Sequence, residues 1–252
     1  MVDKIKKELE SAFSILEFDE ENHKYYAEGK SLPSVTTQIK QYEEKVNWDN
    51  IAHFSALAWN RKNPTDPKTA SQIRWEWLEK GRKAAEAGTK VHLFAETMDR
   101  DPESPKEQGV LEFYEAIDHP IVCKELRMFS NNIAGTADLI LLNKKTKNLI
   151  IADWKTNEDL HKNYKGKTLM PPFTDMLSSA FNKYCIQLAY YKKILEEKTP
   201  YKVESTWIIW LTDRKDITDK VSVIGKNYRL YSTPNLVKTI NEFQSVNLSD
   251  FF

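Results

Sequence analysis

A mixed α/β fold, with a central mixed β-sheet flanked by helices, is what this sequence predicts, and three observations predict it. Two aliphatic runs, residues 139–142 and 149–151, flank Asn143-Lys144-Lys145-Thr146-Lys147-Asn148 and read as a hairpin of buried strands. Apolar residues recur at helical spacing through residues 49–62 and 71–87, and again through 175–198. The chain has 252 residues, 40% of them apolar, enough for one large domain with a real core. A single domain is therefore expected, with a hairpin and helical subregion over 1–87, a core over 88–243 and a tail over 244–252.

In chain order, residues 15–18 and 23–26 are short alternating strands joined by acidic turn residues, and Gly29 marks the next turn. Ser34 is placed to cap a helix running through Tyr42, since its hydroxyl can satisfy free amides of the first turn. The helices over 49–62 and 71–87 are separated by a loop holding Pro64 and Pro67. Their apolar positions include Ile51, Phe54, Leu57, Ile73, Trp75, Trp77 and Leu78. Such residues could stack nucleobases at about 1–3 kcal/mol each, but stripes at helical spacing are more often core, and core is the expectation. Gly88-Thr89 is expected to break the helix, which resumes over 90–96 with His92 and Glu96 on one face. A helix over 111–117 and a strand over 121–129 lead through Asn131-Asn132 into the hairpin. After it come a basic loop, residues 161–167, and the long helix with Gln187 and Tyr191 one turn apart. A buried strand over 207–211, its partner over 221–230 and a helix over 235–243 complete the core.

Composition excludes several classes. Lysine plus arginine balance aspartate plus glutamate at 37 each, so any basic surface for a polyanion is local. Two cysteines, Cys123 and Cys185, are too few for a disulfide framework, a tetrathiolate zinc site or an iron–sulfur cluster of four thiolates. Residues 1–10 are charged and amphipathic with no apolar signal region, and no run reaches membrane-span length. A cytoplasmic location and no membrane partner are expected.

The hairpin carries charges where a buried strand should not. Asp138 interrupts the first strand, and Asp153 and Lys155 flank Trp154 on one face of the second. A carboxylate among aliphatic side chains costs several kcal/mol unless paired. An internal ion pair to Lys155 accounts for one aspartate and leaves the other, so a bound cation is the stronger reading. His92 with Glu96 alone would be an ordinary local pair; beside such a site, His92 becomes a candidate ligand.

These pieces, Gly135-x-x-Asp138, Asp153-Trp154-Lys155, His92 after Gly88-Thr89, and Gln187-x-x-x-Tyr191, occur in an order that closely resembles the PD-(D/E)xK nuclease superfamily, in particular its RecB-like exonuclease branch. The resemblance covers residues 88–191, and more loosely 23–37, which look like the start of phage and bacterial members. The family's proline before the first aspartate is replaced by Ala137. The resemblance implies a sheet with helices on both faces and His92, Asp138 and Asp153 as metal ligands, joined by the Trp154 backbone carbonyl. It further implies that Glu96 orients the site or binds through water. Lys155 would position or help deprotonate the attacking water and counter the charge developing on the phosphate, and Gln187 and Tyr191 would hold the scissile phosphate or its neighbour. The site would then take one or two Mg²⁺ or Mn²⁺ ions, with oxygen ligands favouring Mg²⁺ and the imidazole extending tolerance to Mn²⁺. Lys162, Lys165 and Lys167 in the basic loop are candidate DNA contacts; a solvated surface loop is the competing reading.

The chemistry asks for a metal. Enzymes lower barriers by about 8–23 kcal/mol, whereas one general acid or base supplies roughly 10²–10⁴-fold. A divalent ion lowers the pKa of bound water and neutralises phosphate charge together, and two ions about 3.5–4 Å apart can serve both attacking and leaving oxygens. A metal-dependent DNA exonuclease of recombination, repair or replication is thus the leading expectation, acting on single-stranded or duplex ends in a bacterial or phage-infected cell. A structure-specific endonuclease on the same core and a catalytically inactive DNA-binding or sliding-clamp-associated module are the alternatives. Finally, Leu248, Phe251 and Phe252 resemble the Leu-x-x-Phe-Phe core of peptides that bind DNA sliding clamps, with Ser245 in place of the expected glutamine. Folding of both phenylalanines onto the core is the alternative.

Overall fold

The computed structural model describes residues 1–22, 24–130, 132–216 and 221–245. The tail positions Leu248, Phe251 and Phe252 lie outside the described residues. The fold is mixed α/β, built on a six-stranded mixed sheet with helices on both faces and a separate three-stranded sheet.

Helix α1 (Val2–Ala12) leads into strands β1 (Leu16–Asp19), β2 (Lys24–Ala27) and β3 (Lys30–Leu32), an antiparallel meander. Tyr25 of β2 donates to or accepts from Thr136 at 3.0 Å, tying this small sheet to the large one. Ser34 caps α2 (Val35–Ile39) as expected, its hydroxyl accepting from the Thr37 amide, and a 3-10 turn over Lys40–Tyr42 follows. Helix α3 (Trp48–Lys62) then packs against α4 (Ala70–Thr97), whose N-terminus is closed by a capping box between Thr69 and Gln72.

Helix α4 corrects two expectations. It runs unbroken for 28 residues through Gly88-Thr89, because helix packing on both sides outweighs the roughly 1 kcal/mol that a helical glycine costs. Gly88 marks a close approach: a Cβ there would lie 3.1 Å from Thr156 Oγ1. The apolar stripe over α3 and the start of α4 is also mostly not core. Ala52, Ala56 and Ile73 form a small buried cluster, but Phe54, Trp75 and Leu78 are 68%, 65% and 62% exposed. Trp77 packs against that cluster and meets Trp48 edge-on, while the other large residues face outward.

Helix α5 (Pro105–Ala116), capped by Ser104, precedes β4 (Ile121–Ser130), β5 (Ile133–Leu142) and β6 (Leu149–Lys155). These three strands form consecutive antiparallel pairs, and β5–β6 is the predicted hairpin. Helix α6 (Ala180–Lys198) crosses back so that β7 (Val203–Leu211) runs parallel to β6, as a helical crossover permits. Its start is Ser179, which caps it, rather than residue 175. The single strand expected over 221–230 is two, β8 (Val223–Ile224) and β9 (Tyr228–Ser232), folded at Gly225. Helix α7 (Val237–Ser245) packs on α6. The strand order is β4-β5-β6-β7-β9-β8.

Strand alternation sorts the core onto two faces. Ile140, Leu142, Ile151 and Ile208 face α6, while Leu139, Leu141, Ile150, Trp154 and Ile209 pack with Val91, Phe94, Val110 and Phe113 from α4 and α5. Each fully buried side chain of this size stabilises the fold by about 1.5–3 kcal/mol relative to exposure. Strand β6 is buried on both faces, so charges at its end sit in a low-dielectric setting.

Candidate active site

Three elements meet at the C-terminal end of β6. Strand β5 brings Asp138, α4 brings His92, and β4 brings Glu125. One ligand atom from each lies within 4.8 Å of the others, a cluster able to hold a metal ion. His92 Nδ1 is 3.4 Å from Asp138 Oδ2, the same oxygen that accepts from the Trp154 amide at 2.8 Å. The Trp154 carbonyl lies against the His92 ring, where hydrogen bonding to it favours the imidazolium. His92 and Asp138 therefore converge as the sequence suggested, with the Trp154 carbonyl beside them.

The third corner of this cluster is Glu125, which sequence reasoning missed; Asp153 lies beside it, its carboxyl within hydrogen-bond reach of Asp138. Glu125 falls between the paired positions Lys124↔Leu139 and Leu126↔Ala137, directly across from Asp138. Its backbone adopts φ 50°, a left-handed conformation that costs a non-glycine residue and that collects at functional positions. What places it is the cross-strand register: Ser130 pairs with Ile133 across the turn, and that register sets Glu125 opposite Asp138. Asp153 is buried next to this cluster and forms an ion pair with Lys155. The Lys155 ammonium also lies 4.2 Å from the centre of the Tyr184 ring of α6.

Electrostatically the site is a crowded set of acids. Burial and then Asp153 push the Asp138 carboxyl well above its ordinary range. Burial, Glu96 and Asp153 push Glu125 up to about 7. Burial opposes the charge on Lys155, but Asp153 and Asp138 outweigh it and hold that pKa above the usual lysine value. Burial and then Lys155 lower His92. Neutral imidazole with carboxylates that repel one another is a set of donors that a divalent cation would relieve, so these residues fit Mg²⁺ or Mn²⁺.

Gln187 and Tyr191 are brought together but not onto an open surface. Both are buried, and Gln187 Nε2 donates to the Tyr191 hydroxyl at 2.7 Å. The Tyr191 ring lies against Gly135, where a Cβ would approach it to 2.6 Å. That contact explains the glycine three residues before Asp138: the pair braces the strand that carries Asp138. Burial and then Asp153 hold the Tyr191 phenol well above its ordinary pKa, so it stays a neutral hydroxyl.

Two clefts open on the site. One, of about 1010 Å³, runs past Glu125, Glu96 and Thr136 toward α1. The other, of about 670 Å³, runs past His92, Thr156 and Tyr184 between α4 and the start of α5. Glu96 is exposed in the first cleft, close enough to raise Glu125. Lys162, Lys165 and Lys167 are exposed and line neither cleft; Lys167 is paired with Glu44 at 2.7 Å. No known family pattern matches this chain, and no curated protein is detectably similar to it.

Proposed function

We propose that this protein is a divalent-metal-dependent deoxyribonuclease that hydrolyses phosphodiester bonds, acting as an exonuclease on DNA ends. The observation that carries this reading is the convergence of His92, Glu125 and Asp138 beside the Asp153–Lys155 pair. A bound Mg²⁺ or Mn²⁺ would polarise the phosphate and lower the pKa of a water ligand. His92, Glu125 and Asp138 would hold the ion, and the Trp154 amide fixes the Asp138 oxygen nearest the imidazole. Lys155, kept charged by Asp153, offers a proton donor and a counter-charge to the oxyanion that develops at phosphorus. Gln187 and Tyr191 act beneath this layer by keeping Asp138 in place.

A role in recombination, repair or replication in the cytoplasm accords with this chemistry. No helix among the described residues is long and apolar enough to cross a membrane. The reading is tested by a time course with end-labelled single- and double-stranded DNA and with closed circular DNA, in Mn²⁺. Release of nucleotides from ends, lost in Asp153→Ala, is expected. Cleavage that survives Asp153→Ala would overturn the site, and cutting of closed circles would replace the exonuclease by an endonuclease.

A further inference from the structure

The two clefts differ in charge. The cleft past Glu125 is lined by Asp3, Glu10, Glu20, Glu96 and Glu125 against Lys6, Lys124 and Arg127. All three cations are engaged: Lys6 is paired with Glu10, Lys124 Nζ donates to the Ala95 and Glu96 carbonyls, and Arg127 is paired with Glu20. A polyanion meets net repulsion there. On the His92 side the lining carries one lysine, Lys106, and one carboxylate, Glu158, which is paired with Lys80 at 3.2 Å. Lys106 of α5 reaches into the cleft, where its ammonium donates to the Thr156 carbonyl at 2.5 Å, immediately after Lys155. Among the described residues no carboxylate lies within ion-pair distance of it; Asp213 and Glu158 act on it only from farther away. An ammonium has three donors, and one is used. A half-buried cation without a counter-ion calls for an anion from outside.

We infer that the cleft between α4 and α5 is a groove for a single nucleic-acid strand, in which Lys106 holds a backbone phosphate next to the one attacked. The inference rests on the nuclease reading and goes beyond it by naming the side from which the strand approaches. Its far wall is the smooth face of α4 formed by Ala84, Ala85 and Gly88, and the Tyr184 ring closes it near Lys155. At about 670 Å³ the cleft has the size of a pocket for a small ligand, in a range of roughly 300–1,000 Å³. That space takes a nucleotide or two of one strand. An aromatic ring with a neighbouring cation is the pairing that binds single strands without sequence preference.

The test is equilibrium binding of a fluorescein-labelled oligothymidylate to the full chain, read by anisotropy in EDTA, where metal-dependent cleavage is absent. Lys106→Gln keeps a hydrogen-bond donor and removes the charge. It is expected to weaken binding about tenfold, as for one charged hydrogen bond, and to reduce the slope of log K against log salt by about 0.7. Lys106→Arg should restore both. Glu158→Gln removes the carboxylate that lines the cleft and neutralises Lys80, and should tighten binding about two- to threefold, in line with a surface charge effect, a gain that misfolding cannot produce. Equal affinity and slope in wild type and Lys106→Gln would overturn the groove, as would absence of binding by the wild type or equal affinity for blunt duplex. Binding that follows this pattern in a protein without cleavage activity would uphold the groove and reject the nuclease reading.

Discussion

Along α4, residues near its two ends carry similar side chains in different surroundings. Trp75 and Leu78 point outward from the arm that α4 makes with α3, whereas Val91, Phe94 and Ala95 are buried against the sheet and bring His92 to Asp138. The helix and its periodicity are continuous across both. What differs is the partner: α3 offers Ala52 and Ala56, while the sheet offers Leu139, Leu141 and Trp154. Helical spacing of apolar residues therefore reports a helix, and the neighbouring element decides which of those residues become core.

The sharpest way to break this contrast is Phe94→Ala. It should destabilise by about 3–5 kcal/mol, as for a buried aromatic truncated in a packed core, and should loosen His92 with it; chemical denaturation measures the first. A smaller effect comes from pH. Arg100, just past α4, is paired at 2.6 Å with the buried Glu107 of α5, and this lowers the Glu107 pKa. A depressed carboxylate contributes stability above its unfolded value, near 4.3, and loses it as pH falls through the lower folded value. Thermal melting should therefore drop on acidification below about pH 4, and Glu107→Gln should flatten that part of the profile. Smallest of all is Trp75→Ser on the arm, expected to change stability by no more than about 0.5 kcal/mol. A large loss there would mean that the exposed half of α4 is core after all.

The hairpin was legible because its information is local: two aliphatic runs, a turn, and alternation that puts Asp153 and Lys155 on one face. The capping residue Ser34 was legible for the same reason. Glu125 was not, because its place depends on a cross-strand register and on a left-handed backbone that no single stretch announces. Nor was the continuity of α4 through Gly88, since that glycine records the approach of Thr156 from 68 residues away in sequence. Lys106 escaped notice because one lysine at a helix start looks like any other until Thr156 and the cleft are placed beside it.

The central claim is that His92, Glu125 and Asp138 form one metal site, with Glu125 as the corner that the motif spacing did not disclose. Titration of Mn²⁺ into the full chain by calorimetry, in wild type and in Glu125→Gln, tests it without reference to cleavage. Wild type should bind Mn²⁺, and Glu125→Gln should weaken that binding by at least tenfold or so, the lower end of what even an outer-shell partner of a metal site contributes. Equal Mn²⁺ affinity in the two proteins would contradict the account.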